Sequence, residues 1–228
     1  MPSLPATTSR PARILVVGDS TASAMGEGLV EWAGAHPDLA QVSIQWAPGC
    51  GFIRLGTEEF EVPSYRVACE DVRADLPEVL ASVQPDVVLL MVTIGDTEAR
   101  TLDDGGELLR PGSDGFTRLI DGEYDRFLVE LVAAGVDHIA WVVPPTPDTD
   151  DHILAPNLDV PERWTTLRAA VERMAANHPN VVTVVDLDAW EAAQAESGRA
   201  DGLHYSVDAA TRLADTMLAP SLVELALS

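Results

Sequence analysis

The stretch Ile14-Leu-Val-Val-Gly-Asp-Ser-Thr-Ala-Ser23 determines the fold class. Its first four residues are apolar and mostly β-branched, which predicts a buried strand. Gly18 ends that strand, and a helix-compatible segment begins at about Ala22. A hydroxyl on such a turn lies at the amino end of a helix, where unpaired N–H groups and the helix dipole favour developing negative charge. Ser20 is therefore a candidate nucleophile; the alternative is that Asp19 or Ser20 merely caps the helix.

The composition is that of a globular protein and excludes several functions. The chain has 228 residues, of which 46% are hydrophobic, enough for an α/β domain that buries most of its unfolded surface. A net charge of -23 opposes binding to nucleic acid and to anionic membranes, and no apolar run is long enough to span a bilayer. All 14 basic residues are arginines, which excludes a Schiff-base lysine, a pyridoxal-phosphate anchor and a P-loop lysine.

Residues 1–12 differ in composition from the remainder of the chain. They are rich in proline, serine and threonine and contain no apolar run of the kind that a signal peptide requires. We therefore predict a short flexible tail and a cytoplasmic location, with an extracytoplasmic location as the alternative if the sequence is a piece of a longer protein. No repeat, linker or shift of composition divides residues 13–228, which we predict to form a single domain of unknown oligomeric state.

Apolar runs and helical spacing alternate five times, which predicts an α/β fold with a parallel sheet covered on both faces. The predicted strands are residues 14–17, 42–46, 87–92, 139–143 and 181–185. The predicted helices are residues 22–35, 67–83, 117–134, 161–176, 187–196 and 207–227, with a kink or break at Pro77. The Gly/Asp-rich segment 99–115 has the length of a functional rim or lid. The acid-rich segment that ends at His152 is interpreted as a solvated loop rather than a metal site.

Three turns are predicted at the sheet edge where ligands bind in such folds, beyond the carboxyl ends of the strands. They are Gly18–Ser20, Pro48–Gly51 and Gly95–Glu98. The glycines of the second turn allow backbone N–H groups to approach a ligand closely, although an ordinary Pro-Gly turn has the same sequence.

A second motif, Asp201-Gly-Leu-His204, stands just before the last predicted helix. A carboxylate three residues before a histidine can fold back and accept a hydrogen bond from the imidazole Nδ1–H, which leaves Nε2 to act as a base. Alone, this motif also fits an ordinary surface pair near a helix start. Together with Ser20, it completes a serine, aspartate and histidine on turns of one α/β sheet.

These two motifs resemble the first and last blocks of the SGNH or GDSL hydrolase family. Gly18-Asp19-Ser20 matches the block that carries the nucleophile, and the second motif matches the block that carries the acid and base. The resemblance extends over the chain from Arg13 and implies a three-layer α/β/α, flavodoxin-like domain with five parallel strands. It also implies that Ser20 attacks an ester carbonyl, His204 transfers the proton and Asp201 holds the imidazole, with no metal or organic cofactor.

The middle blocks of the family match less regularly. The second block supplies a glycine N–H to the oxyanion hole, beside the Ser20 N–H, and both Gly49 and Gly51 match it. The third block is normally Gly-x-Asn-Asp and here reads Gly95-Asp-Thr-Glu98, so the Thr97 hydroxyl stands for the asparagine amide. The loss of one oxyanion donor typically lowers turnover by roughly 10²–10³.

The resemblance also implies a function and a substrate-binding set. We interpret the chain as a serine esterase for a small-molecule or carbohydrate ester, with deacetylation as one form of the reaction. An O-acyltransferase that uses the same acyl-enzyme, and a catalytically degenerate domain with a binding or non-hydrolytic role, are the alternatives. No nucleic-acid or membrane partner is expected. We expect Glu98 to brace its loop through Arg100, and the predicted substrate-binding residues are Asp19, Glu98, Arg100 and Tyr205.

The cysteines lie near one of these blocks. Pro48-Gly-Cys-Gly-Phe52, the irregular third block and the turn Pro144–Pro147 resemble SGNH domains fused to membrane O-acyltransferases that modify envelope sugars. Extracytoplasmic members can bridge their cysteines, but the lack of an export signal favours unbridged Cys50 and Cys69. Cys50 as an alternative nucleophile is less favoured than Cys50 as a packed or bridged residue.

Overall fold

Two sheets make up the β-structure of the computed structural model, which describes residues 10–59, 62–102, 106–147, 158, 160–194 and 198–228. The strands are β1 (Ala12–Gly18), β2 (Ala40–Trp46), β3 (Thr57–Glu58), β4 (Val87–Met91), β5 (Arg100–Thr101), β6 (Leu108–Leu109), β7 (Ile139–Val143) and β8 (Val182–Asp186). The five longer strands pair in parallel in the order β2-β1-β4-β7-β8. The three two-residue strands form an antiparallel sheet in the order β3-β5-β6.

Helices cover both faces of the five-stranded sheet. They are α1 (Ser20–Ala35), α2 (Pro63–Val83), α3 (Ile94–Thr97), α4 (Asp114–Ala133), α5 (Pro161–Asn177), α6 (Leu187–Glu191), α7 (Val207–Leu213) and α8 (Ala219–Ala226), with a π-helical turn at Ala214–Leu218 between the last two. Helices α2, α4 and α5 pack on one face, and α1, α7 and α8 pack on the other. This arrangement confirms the predicted three-layer α/β/α fold with a five-stranded parallel sheet.

The side chains of β1 serve both faces of the sheet. Leu15 and Val17 point into the core beneath α2, α4 and α5, whereas Ile14 and Val16 point into the core beneath α1, α7 and α8. All four residues are buried. Because helices cover both faces, the strand is continuously apolar rather than alternating.

Gly18 fixes the turn that follows β1. A Cβ atom at this position would lie 1.7 Å from the carbonyl oxygen of Met91 on the neighbouring strand β4. Because only glycine fits there, the chain can turn directly into α1 at the carboxyl edge of the sheet. The Asp19 N–H donates a hydrogen bond to the same Met91 carbonyl at 3.4 Å, which ties the turn to β4.

The observed elements depart from the predicted ones in three places. Helix α2 continues through Pro77, so the predicted break is absent there. The last predicted helix, residues 207–227, contains the π-helical turn, which precedes Pro220. A proline ring collides with the carbonyl four residues earlier in a regular α-helix, so the wider turn accommodates it. Segment 99–115, which was predicted as a rim or lid, contains the short strands β5 and β6 of the small sheet.

The ends of the predicted segments also differ slightly from the observed ones. Strand β1 begins at Ala12, so the predicted tail of residues 1–12 overlaps it by one residue. Residues 1–9 of that tail, and the acidic loop from residue 148 to His152, lie outside the described residues. Within the described part of the chain, none of the helices has both the length and the apolar character needed to cross a bilayer.

Candidate active site

The turn after β1 and the loop before α7 meet at the carboxyl edge of the sheet. His204 Nε2 lies 2.8 Å from Ser20 Oγ, and His204 Nδ1 lies 2.6 Å from Asp201 Oδ2. The hydroxyl, imidazole and carboxylate therefore form one hydrogen-bonded chain, although Ser20 and His204 are 184 residues apart in sequence. In this arrangement the imidazole can remove the serine proton while the carboxylate holds the ring in place.

Asp201 folds back onto the residues that follow it. Its Oδ1 atom accepts hydrogen bonds from the N–H groups of Leu203 and His204 at 3.0 and 2.7 Å. Burial by itself would raise the pKa of Asp201, but hydrogen bonds from the His204 imidazole and from the two N–H groups outweigh it and lower the pKa to about 2. The carboxylate is therefore charged at neutral pH and favours the His204 tautomer with a proton on Nδ1.

A buried ion pair supports the loop before α7. Arg199 pairs with Glu191 at 2.5 Å and donates a hydrogen bond to the Gly202 carbonyl at 2.6 Å. The Tyr205 hydroxyl donates to the same Glu191 at 2.8 Å. Tyr205 is itself buried in the core and does not line the cavity beside the serine, so the structure does not bring it to the predicted substrate-binding set.

Asp19 is buried and fully hydrogen-bonded. Its Oδ1 atom accepts from the N–H and hydroxyl of Thr21 at 2.9 and 2.5 Å, and Oδ2 accepts from the N–H and hydroxyl of Thr93, both at 2.7 Å. Burial raises the pKa of Asp19, and these hydrogen bonds oppose that effect. Asp19 thus caps α1 and ties it to the end of β4. With two donors on each carboxylate oxygen, its acceptor capacity is used within the protein.

Of the two candidate glycines after β2, Gly49 lies at the cavity. Its φ of +63° suits glycine, and its N–H makes no backbone hydrogen bond with the other described residues. Gly51 instead packs against the loop after β4, where an added Cβ atom would lie 2.0 Å from Asp96 Oδ1. The N–H of Gly49 and the N–H of Ser20, at the start of α1, are therefore the candidate oxyanion donors.

Thr97 does not reach the cavity, contrary to the register predicted for the third block. It is fully buried, and its hydroxyl donates to the Ile94 carbonyl at 3.1 Å. Gly95 lines the cavity instead, and a Cβ atom there would lie 2.4 Å from the Gly49 carbonyl oxygen. The geometry favours the register Thr93-Ile-Gly-Asp96, which puts Gly95 at the asparagine position. The site therefore has no side-chain amide donor at that point.

Two charged side chains hold the segment that follows Gly49. The Asp96 carboxylate accepts from the N–H groups of Phe52 and Ile53 at 2.9 and 3.0 Å. Arg73 Nη2 donates to the carbonyls of Gly51 and Ile53 at 2.5 and 3.0 Å. Burial lowers the pKa of Arg73, partly offset by the attraction of Asp96. Because both N–H and carbonyl groups are held, the turn Pro48–Gly51, here called the oxyanion turn, is fixed from two sides.

A cavity of about 860 Å³ opens beside Ser20 and His204. Its walls come from the turn after β2, from α2, from β3 and from the segment that joins β4 to β5. Three lining residues, Trp46, Val62 and Tyr65, are exposed apolar side chains, whereas other lining residues are buried and charged. The cavity can therefore accept a molecule with both apolar and polar faces.

The sequence suggested that Glu98 pairs with Arg100. In the structure Glu98 pairs with Arg163 instead. Glu98 Oε1 and Arg163 Nη1 are 2.8 Å apart, and both side chains are buried. Arg100 instead pairs with Glu58 at 2.7 Å and donates to the Gly95 carbonyl at 2.7 Å. Burial raises the pKa of Glu98, and the charge of Arg163 opposes that effect. Arg163 comes from the start of α5, a neighbour that no local sequence pattern reveals.

Cys50 and Cys69 form a disulfide that joins the oxyanion turn to α2, contrary to the expectation of unbridged cysteines. Both residues are buried. The expectation depended on the predicted cytoplasmic location, which carries no information about the distance between the two side chains. Because the bridge consumes the Cys50 thiol, Cys50 is no longer a candidate nucleophile.

Several residues that support the site were not predicted from the sequence, namely Arg73, Asp96, Arg163 and Arg199. Each acts through a contact with another segment or through a loop whose path the sequence does not show. Arg73 is 22 residues from Gly51, for example, and Asp96 is 44 residues from Phe52. Only Asp96 carried a local signal, because it directly follows the glycine in a turn after a buried strand.

A serine, a histidine and an aspartate joined at the carboxyl edge of a three-layer α/β fold define the class of serine hydrolase-like enzymes. A family model described as "SGNH domain (fused to AT3 domains)" matches residues 3–218. The chain therefore belongs to the SGNH family, whose members include esterases and acyltransferases. A comparison with curated protein sequences finds no match.

Solved structures with the same fold share little sequence with this chain. A lipase/acylhydrolase from Enterococcus faecalis is 18% identical, with a TM-score of 0.58 over 94% of this chain and 95% of the other. The periplasmic domain of a lipopolysaccharide acetyltransferase from Salmonella ser. Paratyphi A is 12% identical, with a TM-score of 0.55 over 92% and 83%. A family two carbohydrate esterase from Cellvibrio japonicus is 18% identical, with a TM-score of 0.54 over 97% and 63%.

Proposed function

We propose that the protein is a serine esterase that hydrolyses O-acyl esters of carbohydrates or natural products. The observation that supports this most directly is the hydrogen-bonded chain from Asp201 through His204 to Ser20, with distances of 2.6 and 2.8 Å. A serine hydroxyl is a weak nucleophile without an adjacent base, and this geometry supplies one.

The proposed reaction has two halves. In the first, His204 Nε2 takes the hydroxyl proton as Ser20 Oγ attacks the ester carbonyl, and the N–H groups of Ser20 and Gly49 donate to the oxyanion. His204 then returns the proton to the departing alcohol, which leaves the acyl group on Ser20. In the second half, His204 deprotonates water, which attacks the acyl-enzyme and releases the acid.

Support for the substrate class comes from the cavity and from the structural neighbours. The cavity of about 860 Å³ is large enough for a sugar-sized alcohol, and Tyr65 offers an exposed ring beside Gly49. Two of the neighbours named above are a carbohydrate esterase and the periplasmic domain of an acetyltransferase. We therefore propose an acylated sugar as the substrate of this chain, and acetyl is the first acyl group to test.

Acyl transfer is the second candidate function, because one structural neighbour is the periplasmic domain of an acetyltransferase. The same acyl-enzyme would then be attacked by an alcohol rather than by water. The two functions differ in product, so adding an alcohol acceptor at increasing concentration separates them. An esterase keeps releasing free acid, whereas a transferase diverts the acyl group to the acceptor.

A catalytically degenerate domain is the remaining alternative, since Gly95 offers no side-chain amide to an oxyanion. Turnover of p-nitrophenyl acetate and of acetylated xylosides tests activity directly. We expect acetate release by the wild type and a loss of roughly 10⁴–10⁶ in kcat for Ser20→Ala. Ser23→Ala, which removes a hydroxyl from the same helix, serves as the matched control. Turnover that survives Ser20→Ala, or a wild type inactive on every ester, contradicts the proposal.

A further inference from the structure

Two polar atoms in the cavity wall are buried and lack a hydrogen-bond partner among the described residues. They are Oε2 of Glu98 and Nε of Arg100. The two side chains are 3% and 4% exposed, and both residues line the cavity beside Ser20. Most buried polar groups in folded proteins are paired, so one unpaired acceptor and one unpaired donor in residues that line the same cavity require an explanation.

The remaining atoms of these side chains are occupied within the protein. Glu98 Oε1 accepts from Arg163, and Arg100 Nη2 donates both to Glu58 and to the Gly95 carbonyl. These contacts hold the two side chains in place and leave one atom of each without a partner. A fixed side chain with a free polar atom is what a preformed binding site requires.

Glu98 and Arg100 also lie on one face of the chain. Glu98 has extended backbone angles of -80° and 143°, and Arg100 begins strand β5. Residues two apart in an extended chain point to the same side, and the intervening Ala99 is buried. The two side chains therefore leave the chain on the same side.

The charges of this wall are balanced, which indicates what kind of ligand fits. Arg163 offsets the charge of Glu98, and Glu58 offsets the charge of Arg100. A charged ligand would disturb two buried ion pairs, whereas a neutral hydroxyl can both donate and accept a hydrogen bond. Neighbouring hydroxyls on a polyol match one acceptor beside one donor.

We propose that Glu98 and Arg100 form a hydroxyl-binding subsite, so that the preferred substrates are esters of polyols with a free hydroxyl next to the acylated one. One hydroxyl donates to Glu98 Oε2, and the same or the adjacent hydroxyl accepts from Arg100 Nε–H. The inference rests on the proposed esterase function and adds specificity-determining residues to it.

The test compares methyl 2-O-acetyl-xylopyranoside with its 3-deoxy analogue, which lacks one hydroxyl beside the ester. We expect the wild type to prefer the hydroxylated ester by about 10- to 100-fold in kcat/KM, as for the loss of a hydrogen bond to a charged group. Glu98→Gln should reduce that preference towards one. Arg163 requires an acceptor, so the introduced carboxamide turns its oxygen to Arg163 and its NH₂ group to the substrate, and the substrate hydroxyl loses the acceptor for its own proton.

Three controls keep the outcomes distinct. p-Nitrophenyl acetate has no hydroxyl, so Glu98→Gln should lose less activity on it than on the hydroxylated xyloside, and the ratio of the two kcat/KM values reports the subsite. Arg100→Lys retains the charge that Glu58 needs but lacks the Nε donor, and it should also reduce the preference. Glu130→Gln removes another arginine-paired carboxylate, that of Arg54, and should preserve it.

Two results overturn the subsite while leaving the esterase proposal intact. One is a wild type that cleaves both xylosides equally well. The other is a Glu98→Gln variant that loses activity on all three esters to the same extent. If no ester is cleaved at all, the esterase proposal itself fails. The subsite is then tested by NMR titration with methyl xylopyranoside. Glu98→Gln should weaken the binding of this glycoside, and unchanged binding overturns the subsite.

Discussion

At the residue scale, Ser20, His204 and Asp201 could be predicted from two short motifs because each motif is local. The Asp201 turn is closed by backbone N–H groups only two and three residues away, so the sequence contains all the information needed for it. The position of Thr97 could not be predicted in this way. Its side chain is directed by the path of the chain after β4, where Gly95 rather than Thr97 meets the cavity.

Replacing Asp201 tests the role of the carboxylate in orienting the imidazole. We expect Asp201→Asn to lower kcat by roughly 10³–10⁴ while KM changes little, because a carboxamide favours the wrong imidazole tautomer. Steady-state kinetics on p-nitrophenyl acetate measure both constants. Asp208→Asn, which removes an exposed carboxylate four residues from His204, should behave as the wild type. Equal activity of the two variants would rule out the proposed role.

The lowered pKa of Asp201 also makes a prediction about stability. In the folded protein the pKa of Asp201 is about 2, below the usual value of about 3.9. Its ionised carboxylate therefore stabilises the folded state at pH values above about 3.9. That contribution is lost as the pH falls from about 4 to about 2. The difference in free energy of unfolding between the wild type and Asp201→Asn should therefore be constant near neutral pH and shrink in acid, as urea titrations can show. A difference that grows in acid would have the wrong sign.

Thr97→Val separates the two registers of the third block. The Thr97 hydroxyl bonds only the Ile94 carbonyl among the described residues, so we expect its removal to lower stability modestly and to leave kcat close to that of the wild type. Kinetics and thermal unfolding of the variant provide the two readouts. A loss of roughly 10²–10³ in kcat, as for an oxyanion donor, would restore Thr97 to the site.

At the scale of elements, long apolar runs were predictable and short strands were not. The strand at 139–143 coincides with β7, and the other four predicted strands of the large sheet lie within two residues of the observed bounds. Strands β3, β5 and β6 are two residues long, too short to show a period-2 pattern. They form by pairing with each other, which depends on contacts between distant segments.

Helix α2 positions the oxyanion turn through Arg73. We expect Arg73→Met to lower kcat by about 10- to 100-fold, because small displacements of a catalytic group have effects of that size. KM should change less than kcat, and Arg73→Lys should recover part of the activity because one ammonium can still donate to a carbonyl. Arg118→Met, on the exposed side of α4, is the control. Loss of stability in Arg73→Met without loss of kcat would show that Arg73 supports the fold alone.

The Cys50–Cys69 bridge gives α2 a second attachment to the same turn, across 19 residues. Its removal by Cys50→Ala/Cys69→Ala should lower the free energy of unfolding by about 3 kcal/mol. Reduction of the wild type with dithiothreitol should have a comparable effect, and the double variant should be insensitive to dithiothreitol. Chemical denaturation with and without the reductant measures this. A wild type that titrates with two free thiols before reduction is incompatible with the bridge.

At the scale of the whole molecule, the sheet topology explains why the two ends of the chain cooperate. Strand β1 lies inside the sheet, and the chain after β8 returns over the face that carries α1, so the loop before α7 arrives at the Ser20 turn. The single domain predicted for residues 13–228 and the predicted cytoplasmic location stay predictions. The disulfide favours an oxidising compartment, because such bridges are rare in reducing ones.

The most direct measurement is labelling with a fluorophosphonate probe, followed by mass mapping of the modified peptide. If the hydroxyl of Ser20 is activated by an imidazole 184 residues away, the probe must attach to Ser20, and His204→Ala must remove the label while the protein stays folded. Ser23→Ala should label as strongly as the wild type. Label on another residue, or undiminished label on Ser20 in His204→Ala, would contradict the pairing of these two side chains as nucleophile and base.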